Sequence, residues 1–254
     1  LAARRINQYV NAGGKLIVLA EGGLNKAASG FIVDVGCNFI RKSEYDYDYT
    51  LVSEKIQDQM VTSPYLNYTS ALVVDPEQGS EILANVREPY FQRTRGEFSS
   101  HRNTPYILEN AEYPAVVKNG NTVFIAHPLD KIYGIHGSKI HRQCFQNCLD
   151  LIYRDPLLTV KLPSSGRATL LQQNQKNRYI LHLLYSSPIL RGEAQVVEDA
   201  VPLYDVPVTV NLKEKVKSVY LIPDNKKLRF RNTQAGTFFT VPEVNIHQAI
   251  VLEY

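Results

Sequence analysis

The sequence predicts an α/β domain followed by a small all-β domain, and three observations carry that expectation. The chain opens on an amphipathic helix closed by Gly13 and Gly14, which leads into the continuous apolar run Lys15-Leu16-Ile17-Val18-Leu19-Ala20. A second amphipathic helix spans residues 137–153, with Ile140, Cys144, Cys148, Leu151 and Ile152 on one face, and stops at Asp155-Pro156. Beyond that proline no helical period returns, and short β-like runs follow one another between Gly, Pro and Asn signals.

Each element follows from local chemistry. A strand apolar over its whole length expects helices on both faces of a parallel sheet, and a parallel neighbour needs a crossover connection. The opening helix and strand therefore read as the second half of a βαβ unit, and the chain as the C-terminal piece of a longer protein. Glu21 to Asn25 form a loop at the strand's C-terminal end. Phe31 to Val35 read as a short helix stopped by Gly36, and Asn38 to Lys42 as a strand. The stretch from Glu44 to Val52 alternates acids with tyrosines at period two, which suggests a strand with one polar face.

Residues 58–113 are irregular, with β-like runs at 71–74 and 80–86. Such a long excursion in a compact domain expects a functional or interface-forming role. Order returns with two apolar runs, 113–118 and 122–127, joined through Asn119-Gly120-Asn121, a strong hairpin signal. The boundary falls at Asp155-Pro156, giving domains 1–155 and 156–254. In the second, strands are expected at 157–162, 168–173, 178–185, 194–197, 206–212, 216–223, 227–231, 237–241 and 247–254, the pattern of an antiparallel sandwich.

Composition narrows the function. Over 254 residues, 44% hydrophobic and 21% charged side chains are those of a folded globular protein. The net charge of +3 is small and its Lys and Arg are scattered, so a polyanion-binding stripe is absent and nucleic acid is not an expected partner. No apolar run is long enough to span a bilayer, so no membrane partner is expected, and the compartment is left open. Three Cys do not form a disulfide framework. The chain has 16 Tyr and no Trp, which counts mildly against an autonomous sugar-binding module.

Four constellations could carry chemistry. Glu44, Asp46 and Asp48 would share one strand face, read as solvated, with a sugar or interface contact as the alternative. Cys37, in Val35-Gly36-Cys37-Asn38-Phe39, lacks the strand-to-helix elbow of an amidotransferase nucleophile and reads as a buried structural thiol. His141, Cys144 and Cys148 could present three soft ligands, but zinc wants a fourth and the face carries Ile140 and Leu151, so it reads as core packing; no metal or cofactor is expected. The segment 90–105 concentrates hydrogen-bonding and charged groups. Tyr90, Arg93, Glu97, Ser100 and His101 are its candidates for substrate or interface contact, against the plainer reading of a polar surface loop.

At this point the chain resembles a known family. Residues 9–17, Tyr-Val-Asn-Ala-Gly-Gly-Lys-Leu-Ile, resemble the entry of the trimerisation domain that follows the catalytic barrel in family 42 β-galactosidases. Residues 120–128, 179–184 and 241–244 resemble the end of a group of bacterial glycoside hydrolases of the same broad type. The resemblance implies a flavodoxin-like domain, like that of class I glutamine amidotransferases, followed by a β-sandwich. It implies a missing N-terminal (β/α)8 barrel holding both catalytic carboxylates, so that no catalytic residue is expected here. It also implies a homo-oligomer in the parent protein. The group shares a stretch matched by Phe98, Ser99, Ser100, His101, Thr104 and Pro105, which would face the barrel's active site or a subunit contact. An amidotransferase-like enzyme and a carbohydrate-binding module are the alternatives.

Overall fold

The computed structural model describes residues 2–254. It divides into two compact units, Leu1–Arg154 and Asp155–Tyr254. Among the described residues no helix is long and apolar enough to cross a membrane.

The first unit opens with α1 (Ala2–Asn11), whose Ala3 and Ile6 pack on the core, and β1 (Leu16–Leu19). Gly13 turns the chain at φ +94°, and Gly14 is required for contact: a Cβ there would sit 2.3 Å from the ring of Tyr9. Then follow β2 (Cys37–Lys42), β3 (Asp48–Val52), β4 (Tyr65–Asn67), β5 (Leu72–Pro76), β6 (Glu81–Arg87), β7 (Pro114–Asn119) and β8 (Thr122–Ile125). Two helices close the unit, α2 (Leu129–His136) and α3 (Lys139–Ile152).

Six strands form one sheet in the order β1-β8-β7-β6-β3-β4, and β2 pairs with β5 separately. Only β1 and β8 run parallel, and the other four pairings of that sheet are antiparallel. The described residues therefore do not form the doubly wound parallel sheet of a flavodoxin-like domain. Part of the physical reason lies in the connections: a two-residue turn joins β7 to β8 and permits only antiparallel neighbours, and β3 leads to β4 through a single 3₁₀ turn at Glu54–Ile56 instead of an α-helix. In β1 only Val18 is buried, because the strand sits at the sheet's edge rather than in its interior.

Other local expectations also change. Phe31 to Val35 are not helical. Asn7 ties this bent run to α1, its Oδ1 accepting from Asp34 N at 3.1 Å, and five residues with three β-branched members cannot sustain a helical nucleus. Gly36 follows at φ +72°, where a Cβ would lie 2.3 Å from Asn119 Cβ. The strand expected from Glu44 begins only at Asp48, so the alternation breaks before the residue that matters most. Helix α2 starts at Pro128 and ends at Gly137 in the left-handed region, φ 62°.

The second unit is almost all strand: β9 (Leu158–Val160), β10 (Arg167–Gln173), β11 (Arg178–Leu184), β12 (Ile189–Arg191), β13 (Ala194–Val196), β14 (Leu203–Val210), β15 (Ser218–Ile222), β16 (Phe230–Thr233), β17 (Gly236–Val244) and β18 (His247–Glu253). Two four-stranded antiparallel sheets, β10-β11-β18-β15 and β16-β17-β14-β9, enclose one apolar cluster; β12 and β13 form a separate hairpin. Leu181, Leu183, Ile250 and Leu252 from the first sheet meet Val206, Val208, Phe239 and Val241 from the second, all at alternate positions.

Candidate functional site

The first unit holds a buried polar network that the sequence does not announce. Asp48, at the start of β3, is fully buried instead of lying on a solvated face with Glu44 and Asp46. Its Oδ2 accepts from Ala71 N at 2.7 Å, and its Oδ1 lies 2.7 Å from His127 Nε2 and accepts from Asn67 Nδ2 at 2.8 Å. Asn67, on β4, also donates to Thr50 Oγ1 at 2.8 Å. Its Oδ1 sits 3.0 Å from His141 Nε2, and His141 Nδ1 lies 2.8 Å from Ser138 Oγ. With the Asn67 amide nitrogen committed to Asp48, its oxygen must accept, so His141 carries its proton on Nε2 and accepts at Nδ1.

That arrangement holds His141 neutral. Burial first, then the neighbouring His127 and His136, pushes its imidazole down to about 4. The adjoining face of α3 is apolar: Cys144 and Cys148 sit in the main core, and Cys144 together with burial drives the Cys148 thiol up. Cys37 is likewise buried, and desolvation, helped by Glu77 and Asp75, pushes it up to about 12. A thiol so raised is protonated and a poor nucleophile at neutral pH.

Next to this network a loop rises over residues 88–107. Its stem closes through Ile107 N to Glu88 O at 2.8 Å and Tyr90 N to Pro105 O at 3.0 Å. Thr104, fully buried, anchors its interior: its N donates to Tyr47 Oη at 2.7 Å, its Oγ1 donates to Phe91 O at 2.9 Å, and its carbonyl accepts from Tyr49 Oη at 2.5 Å. Gln92 and Asp46 bind each other twice, Nε2 to Oδ2 at 2.6 Å and Asp46 N to Oε1 at 3.0 Å.

Between loop and body lies a cleft of about 340 Å³, lined by Asp46, Tyr47, Tyr68, Gln92, Arg93, Arg102, Asn103 and His136. The Tyr68 ring stacks on His136, with centroids 4.0 Å apart and planes 25° apart, and leans on His141 at 6.2 Å. Tyr68 thus joins the open cleft to the buried network. The cleft offers a flat aromatic face, two guanidiniums, two amides and a carboxylate, a set able to bind polyhydroxylated or charged ligands.

Of the five loop residues expected from sequence, only Arg93 lines this cleft, and Asp46 from the acidic stretch joins it there. Tyr90, Glu97, Ser100 and His101 are exposed on the outer part of the loop and do not converge with it. Tyr68 and His136 escaped sequence reasoning, since neither carries a local motif and they come from segments far apart in the chain. A larger open groove of about 610 Å³ gathers Glu44, Asp75, Glu88, Glu109 and Glu112 with Arg41; Tyr113 Oη donates to Glu88 there at 2.8 Å.

No protein-family model matches the chain, and no curated protein does. Among solved structures, the chain is similar to α-L-fucosidase isoenzyme 2 from Paenibacillus thiaminolyticus: 29% identity and a TM-score of 0.91 over 99% of this chain and 38% of that one. The chain therefore spans well under half the length of that enzyme. A cycloisomaltooligosaccharide glucanotransferase from Paenibacillus sp. aligns with 52% of the chain and 22% of its own, at 12% identity, and its TM-score of 0.27 carries no argument. The fucosidase likeness relates the chain to glycoside hydrolases, through an α-L-fucosidase and not through family 42 in particular.

Proposed function

We propose that the chain is a non-catalytic region of a glycoside hydrolase, supporting the architecture and oligomerisation of a catalytic barrel carried elsewhere. The observation that carries this reading is the near-complete alignment with less than half of an α-L-fucosidase. The trimerisation-type, flavodoxin-like ancestry and the kinship with family 42 β-galactosidases belong to the same proposal. The parallel pair β1 and β8, preceded by α1, is the part of the sheet that fits such an ancestry.

Two features favour a supporting role over chemistry within the chain. Asp48, the one fully buried carboxylate among the described residues, is engaged by Ala71, Asn67 and His127, which leaves it no access to a glycosidic bond. Cys37 is buried with its thiol raised, which weighs against the amidotransferase reading. In the proposed role the loop over 88–107 is the contact element: its outer residues Tyr90, Glu97, Ser100 and His101, with Arg93 in the cleft, face the barrel's active site or a neighbouring subunit.

Sedimentation velocity on the chain over a range of concentrations tests the oligomerisation. We expect self-association that weakens when Arg93 and His101 are replaced together by alanine. A strict monomer at every concentration would remove this part of the reading.

A further inference from the structure

We infer a second site, unrelated to the loop, on the outer face of the second unit: a two-imidazole chelate for a divalent transition metal formed by His182 and His247. His182 lies in the middle of β11 and His247 opens β18. The two strands pair antiparallel over their whole length, with His182 opposite Ala249 and Leu184 opposite His247. The histidines are therefore diagonal neighbours on one face of a regular sheet, opposite to the face of Leu181, Leu183 and Ile250, which are buried in the core.

The rings are already together. His182 Nδ1 lies 3.0 Å from His247 Nε2, the ring planes differ by 14° and the centroids are 5.3 Å apart, so the imidazoles meet nitrogen to nitrogen. A neutral pair holds one proton between those nitrogens. Moving that proton to the outer nitrogen of the same ring leaves two facing lone pairs with no net proton released.

A tetrahedral metal with bonds of about 2.0–2.1 Å needs its two nitrogens about 3.3 Å apart. The observed spacing requires an opening of only a few tenths of an ångström and a swing of the exposed His247 ring. The backbone need not move, because both strands are fixed by the ladder, which Tyr185 N extends by donating to Ile246 O at 2.8 Å, and His247 closes a tight turn by donating its N to Asn245 O at 2.7 Å. No group of three His, Cys, Asp or Glu among the described residues is placed to hold a metal ion, so the remaining positions would be water. Imidazole nitrogen suits Cu2+, Ni2+ and Zn2+, with Cu2+ bound most tightly.

Calorimetric titration of the chain with Cu2+ and Zn2+ at neutral pH tests this, with Cu2+ electron paramagnetic resonance as a readout on the unaltered protein. We expect one site per chain and two equatorial imidazole nitrogens in the Cu2+ spectrum. His182→Gln and His247→Gln should each weaken Cu2+ by about ten-fold or more while leaving the melting profile of the metal-free protein in place. Binding undiminished in both variants, or a spectrum with a single imidazole nitrogen, would overturn the assignment.

Discussion

The two units are held together by different means. In the first, Asp48, Thr50, Asn67, Thr104, Thr122, His127, His141, Gln143 and Asn147 are buried polar side chains; in the second, Thr237 is the one such residue among those described. The sandwich depends on many interchangeable apolar contacts, so any one side chain can be exchanged for another of similar volume at modest cost. The first unit has an apolar core of its own and adds to it a few directional contacts among buried polar groups. Buried polar networks fix one arrangement, and they fail sharply when one member is lost.

Several substitutions would break or sharpen that contrast. The largest effect is expected for Asp48→Ala, which leaves Ala71 N–H, the Asn67 amide and His127 without their acceptor. A loss of about 3–5 kcal/mol is expected. The matched change in the sandwich, Ile250→Leu, should cost under about 1.5 kcal/mol. Denaturant unfolding followed by hydrogen exchange on peptides of each unit separates the two, and equal losses would dissolve the distinction.

A smaller but more diagnostic effect is pH dependence. His141 has an ordinary value of 6.5 when unfolded and about 4 when folded. The unfolded chain therefore binds more protons between these values, and folded stability present above pH 6.5 is lost as pH falls toward 4. The full loss is about 3 kcal/mol. Exchange protection in the first unit should follow this curve, and His141→Gln, which still offers Asn67 a donor, should flatten it.

Next comes Thr104→Val, which removes the hydroxyl that ties Phe91 O to Tyr47. A cost of about 1–2 kcal/mol is expected, confined to the loop. Limited trypsin digestion should then cut faster after Arg93, Arg95 and Arg102, with the rest of the fold intact. The smallest effect is expected for Arg191→Gln, which breaks an exposed pair with Glu198 at 2.8 Å; thermal melts should not register it.

The same contrast explains what could be seen in the sequence. The strands of the second unit announce themselves because period-two alternation is a local property, as at Tyr179 to Leu184. The hairpin through Asn119-Gly120 and the apolar face of α3 are legible for the same reason. Asp48 is not legible, because its burial is decided by partners 19 and 79 residues away, Asn67 and His127. Locally it continues the pattern of Glu44 and Asp46, both of which are exposed. The loop over 90–105 could be singled out from composition, but not the cleft beside it, since Tyr68 and His136 arrive from β4's end and from α2. The mixed sheet is not legible either, because the run from Leu16 to Leu19 looks like an interior strand, whereas its place at the sheet edge depends on the order of the other five.

If, as proposed, this chain supports a glycoside hydrolase without performing its chemistry, it cleaves no glycoside on its own. The most direct measurement is p-nitrophenol release by the purified chain from a panel of aryl glycosides that includes the α-L-fucoside and the β-galactoside. No release above the uncatalysed background is expected for any of them. Turnover that persists through repurification and disappears when a carboxylate of this chain is replaced would contradict the proposal.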